Sequence, residues 1–86
     1  MPEISRFYGI VIKIYFADHS PPHLHAEYGS EEALLNIETL AVVAGNLPLR
    51  AMSMVREWAS LHRDELRVAW DHAKRLQSPG KIAPLP

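Results

Sequence analysis

From Phe7 to Phe16 the chain reads FYGIVIKIYF, in which Tyr8, Ile10, Ile12, Ile14 and Phe16 alternate with Gly9, Val11, Lys13 and Tyr15. A period of two over β-branched and aromatic residues predicts one strand with an apolar side. Asp18 to Pro22 is turn chemistry, because two consecutive prolines lack amide donors and hold the chain extended as it leaves the turn. A second strand is expected from about His23 to Tyr28. Gly29 and Ser30 offer a tight connection to a third around Ala33 to Ile37, and Leu40 to Ala44 a short fourth before a turn at Gly45 and Asn46.

After that turn the period changes. Pro48 stands where a proline favours a helix's first turn, and Met52, Val55, Ala59, His62, Leu66, Ala69, Ala73 and Leu76 follow at steps of three and four. A single helix of about 28 residues would be about 42 Å long, against a radius of gyration of about 12 Å for a compact chain of this size. A break is therefore expected near His62 and Arg63, with Asp64 and Glu65 as acids in the first turn of a new helix. The expected fold is α+β: a small antiparallel sheet of three to four strands followed by two C-terminal helices packed on one face. Residues 1–77 form a single domain, and 78–86, with three prolines and a glycine, an irregular C-terminal tail whose Ile82 and Leu85 can dock on it.

Composition narrows the function classes. Nine basic and ten acidic residues leave a formal charge of −1, without the positive footprint of a dedicated nucleic-acid binder. The absence of cysteine removes disulfides, thiolate zinc sites and cysteine nucleophiles, and leaves histidine and carboxylate as the main candidates for chemistry. MPEISRFYG carries no leader pattern, and the apolar run Ile10 to Phe16 falls far short of the roughly 20 residues that span a bilayer. The expectation is a soluble, cytoplasmic protein of 86 residues whose thin core favours a partner.

Three of the five histidines fall within HSPPHLHAEYG. On an extended strand His23, His25 and Glu27 share one face, and Leu24, Ala26 and Tyr28 the other. Two imidazoles at i and i+2 can converge on one metal, while Glu27 lies about 13 Å along the strand from His23, too far to join easily. His19, brought back by the proline turn, is the nearest third ligand; Asp18, His62 and Glu27 bonded to His25 alone are weaker ones. The candidate patch is His19, His23, His25, Glu27, Tyr28 and His62, with His23, His25 and His19 as the set for a divalent transition metal. Set beside that are a plain solvent-side pair needing no cofactor and a metal-free polar pocket in which histidine serves as acid, base or ligand contact. His62 lies on the apolar helical seam; if the seam packs on Leu24, Ala26 and Tyr28, His62 stands across the sheet from His23 and His25. Arg56, Arg63, Arg67 and Lys74 form a basic stripe alongside Glu57, Asp64 and Asp71, which fits a salt-laced exposed face better than nucleic-acid binding. Trp58 and Trp70 read as core or interface anchors.

The segments PEISRFYGIVI, ADHSPPHLHAEYG, LPLRAMSMVREWASLHRDEL and KIAPL together resemble the small bacterial family catalogued as domain of unknown function 4160. The resemblance covers nearly the whole chain and carries no catalytic residues with it. It implies short stand-alone bacterial proteins beside a second small domain, in arrangements like toxin–antitoxin pairs. The function expected on both grounds is an interaction module with a histidine-rich polar patch, partnered by a neighbour-encoded protein or by itself. The alternative is a metal-dependent or histidine-catalysed hydrolase, of the RNA-cleaving kind.

Overall fold

The computed structural model describes residues 3–17 and 19–86. Five strands form one antiparallel sheet in sequence order: β1 Glu3–Phe7, β2 Ile10–Lys13, β3 His23–Tyr28, β4 Glu31–Asn36 and β5 Val42–Gly45. Two helices follow, α1 Leu49–Leu61 and α2 Arg63–Lys74. This is the expected α+β architecture with one strand more than expected. The continuous strand from Phe7 to Phe16 is in fact the end of β1, a two-residue turn and β2. Tyr8 and Gly9 both have positive φ, 49° and 81°, as a type I′ hairpin turn requires. Asparagine before glycine would have announced that turn; tyrosine in its place disguises two short strands as one long one. The ends of the run accordingly leave the core, with Tyr8 and Phe16 exposed while Ile10, Ile12 and Ile14 are fully buried.

The remaining hairpins follow the turn chemistry. Gly29 (φ 61°) joins β3 to β4, with Tyr28 opposite Glu31. Asn36 ends β4 by accepting the amides of Glu38 and Thr39 on its Oδ1, at 2.7 and 3.0 Å, which folds the chain back toward β5. Alternation and register put Ile12, Ala26 and Ala33 in one row across the sheet and Leu24 and Leu35 in the next, all fully buried. The helices complete this core with Met52, Val55, Trp58, Ala59, Leu66, Ala69, Trp70 and Ala73. Both tryptophans are thus core anchors, the first of the two roles expected of them.

The helical break falls at His62, whose φ of −120° and ψ of 25° leave the helical region, so that it ends α1 and begins α2. The bend keeps the molecule to a radius of gyration of 11.5 Å. Leu76 does not continue the seam: it lies past α2, at positive φ, and is exposed. Residues 77–86 form no helix or strand, yet they are tied down. The Ile82 amide donates to the Ile4 carbonyl at 2.8 Å, Lys81 Nζ to the Glu3 carbonyl at 2.7 Å, and Ile82 is buried. Of the basic stripe, Arg67 is salt-laced, bonding both Glu38 and Asp64, while Arg56 donates to the Leu40 carbonyl; beside the stripe Arg75 pairs with Asp71. Among the described residues no helix is long and apolar enough to cross a membrane.

A candidate functional site on the open sheet face

The helices roof only one side of the sheet. Leu24 and Ala26 point toward them and are fully buried, so the alternation in β3 sends His23, His25 and Glu27 to the side without helices. The register then decides their neighbours. Lys13, His25 and Leu34 lie opposite one another across β2, β3 and β4, and Val11, Glu27 and Glu32 form the adjoining row. Lys13 Nζ reaches Glu27 Oε1 at 3.1 Å, and this carboxylate, by hydrogen bonding, holds the ammonium above its usual pKa. His25 Nδ1 meets Glu32 Oε2 at 3.2 Å, and the Tyr15 ring meets the imidazole edge-on, with centroids 4.3 Å apart.

His23 and His25 are brought together, with ring centroids 5.2 Å apart. His23 is more enclosed than a solvent-side position implies: only 8% exposed, it lies 5.3 Å from the ring of Trp70, which α2 carries to this end of the sheet. Its Nδ1 lies 2.8 Å from the Pro21 carbonyl. A carbonyl can only accept, so this nitrogen donates, and in the neutral ring Nε2 is the acceptor. The Glu32 carboxylate imposes the same assignment on His25. Both imidazoles are therefore oriented through Nδ1, the arrangement by which a second group fixes the tautomer of a working histidine.

The other expected members lie elsewhere. His19 is exposed in the loop between β2 and β3, and Asp18 lies outside the described residues. Tyr28 takes the helix side of β3, beside Pro48, Ala51 and Met54 of the α1 end, and does not join the histidines. His62 stays at the α1–α2 junction, where Nδ1 bonds Glu65 Oε1 at 2.6 Å and the ring packs on Trp58. Trp70, which touches His23, is eight residues further along, about 12 Å of helix. Among the described residues no group of three or more His, Asp or Glu side chains is placed to hold a metal ion. Sequence reasoning missed Lys13, Tyr15, Glu32 and Trp70. The first two share the expected polar side of their run, but only the pairing register brings them, with Glu32, against β3.

These features define a small α+β domain with a meander sheet, two helices on one face and a histidine-centred polar cluster on the other. A family model for a domain of unknown function, DUF4160, matches residues 9–71, and the chain belongs to that family. No curated protein and no solved structure matches it.

Proposed function

We propose that the protein is a small bacterial, cytoplasmic interaction module, one member of a toxin–antitoxin-like pair, and that its open sheet face receives the neighbour-encoded partner. The observation that carries this reading is the fixed state of that face. Tyr15, His25, Lys13 and Glu27 are held by cross-strand contacts, and Leu34 lies half-buried among them. A surface already ordered loses little side-chain freedom on binding, and its mixture of aromatic, apolar and paired charged groups suits a protein partner better than a polyanion. The test is purification of the chain expressed from its native operon. The neighbour-encoded protein is expected to co-purify with the wild type and to be lost with the double change Lys13→Ala and His25→Ala, at an unchanged circular dichroism spectrum. A monodisperse monomer carrying no such protein, or a dimer of this chain alone, overturns the reading.

A second reading, histidine-catalysed hydrolysis of the RNA-cleaving kind, is favoured by one contact, the carboxylate of Glu32 on His25 Nδ1. That bond orients Nε2 as a general base, with the Tyr15 hydroxyl on the same face. A divalent metal on His23 and His25, with His19 as a third ligand, is the variant of this reading that would supply an activated water. If His23→Ala and His25→Ala change neither metal content nor toxicity in cells, both forms of it fall.

A further inference from the structure

On the helix side of the sheet, a groove of about 590 Å³ lies between the start of α1 and the β1–β2 and β3–β4 turns. Tyr8 and Tyr28 line it from the turns, Arg50, Met54 and Glu57 from α1, and Leu85 from the tail. Tyr8 is 60% and Tyr28 39% exposed, so each ring keeps an apolar surface open to a ligand. A β-carbon at Gly9 would stand 3.3 Å from Tyr28 Cε1, which explains how closely that ring lies against the turn.

The tail shows which kind of chain this end of the molecule accepts. Trp58 donates its indole N–H to the Ala83 carbonyl at 2.7 Å, and the residues that follow, Pro84, Leu85 and Pro86, alternate proline with an apolar side chain. Proline restricts the residue before it to extended conformations, and such a chain keeps carbonyls that have no internal partner and need a donor. The tail takes the indole donor itself, and the groove beside it offers a second such chain two exposed tyrosine rings, with the Arg50 guanidinium as a donor. Arg50 and Glu57 add a direction. Seven residues apart on α1, they are separated by about 10.5 Å along the helix, the length of three to four residues of polyproline-type chain at about 3.1 Å each.

We propose that this groove binds an extended, proline-containing segment of a partner protein, its prolines on Tyr8 and Tyr28, a basic side chain at Glu57 and a carboxylate at Arg50. The surface lies across the sheet from the histidine cluster, so it stands or falls independently of the paired-module reading.

The test is amide chemical-shift titration of the full chain with end-blocked synthetic peptides. Lys-Pro-Leu-Pro-Glu is expected to shift the Tyr8, Tyr28, Ala51 and Met54 amides saturably and to bind about tenfold tighter than Gln-Pro-Leu-Pro-Gln. In Arg50→Glu the preference should reverse, with Lys-Pro-Leu-Pro-Lys binding tighter than Lys-Pro-Leu-Pro-Glu. This change adds an acid to the first turn of α1, which favours the helix, so loss of fold does not confuse the result. No saturable shift at millimolar peptide, equal binding of charged and neutral peptides, or an unreversed preference in Arg50→Glu each overturns the proposal. So does adenosine monophosphate moving the same amides at lower concentration than any peptide.

Discussion

Trp58 and Ala83, 25 positions apart, are joined by an indole N–H donating to a carbonyl at 2.7 Å. Through this bond a fully buried core side chain holds a segment that has no regular structure of its own. The same ring packs on Phe7, centroid to centroid at 5.4 Å, so β1, α1 and the tail meet at one residue.

Trp58→Phe should therefore do two separable things. Loss of volume and of the hydrogen bond is expected to cost about 2–4 kcal/mol of global stability. The tail should loosen beyond that. Hydrogen exchange at the Ile82 amide, which is bonded to the Ile4 carbonyl, is expected to accelerate more than exchange at β3 amides. If Ile82 and β3 lose protection by the same factor, Trp58 is not what ties the tail.

Two glycines at positive φ should respond differently to the same added methyl. At Gly45 (φ 74°) a β-carbon would collide with the Glu32 carbonyl oxygen, and the obstacle is the backbone of the paired strand β4. At Gly9 (φ 81°) it meets only the edge of the Tyr28 ring, which can move. Gly9→Ala is expected to cost about 1–2 kcal/mol, the ordinary penalty of left-handed backbone. Gly45→Ala should cost about 3 kcal/mol or more, because β5 must shift as well. Denaturant midpoints at unchanged m-value check this, and equal losses at the two sites would contradict the backbone clash.

Where the sequence was legible, a period and a length argument worked together. The seam from Met52 to Ala73 marked the helical core, and a rod too long for the molecule required a break, which falls at His62. The alternation of β3 likewise placed Leu24 and Ala26 inside and gathered His23 with His25. What stayed hidden depends on partners distant in sequence. Nothing in FYGIVIKIYF marks Tyr8 as a left-handed turn residue, because that conformation is imposed by pairing with β1. Glu32 as the partner of His25 follows from a hairpin register, and the burial of His23 from Trp70 arriving on α2, 47 positions later. The docking of Ile82 depends on carbonyls at the opposite end of the chain.

Arg67 gives the acid limb of stability a specific source. Its guanidinium bonds Glu38 through Nη2 at 2.7 Å and Nε at 2.8 Å, linking α2 to the turn before β5. That hydrogen bonding, with the attraction of the two charges, holds the Glu38 carboxyl below its ordinary value of 4.5. A depressed folded value contributes stability that is fully present above the unfolded value and is lost as pH falls through the folded one. The window therefore opens at about pH 4.5 and extends downward. Glu3 is lowered in the same sense by Arg6, but that pair is three residues apart and partly survives unfolding, whereas Glu38 and Arg67 are 29 apart and meet only in the folded chain. Arg67→Gln should flatten the fall in stability between about pH 5 and pH 3, Arg6→Gln should flatten it less, and added salt should shrink both differences because the pairs are exposed. Denaturation midpoints measured across that range decide the matter: acid limbs for Arg67→Gln and wild type that run parallel would show that the Glu38 pair carries none of the pH dependence.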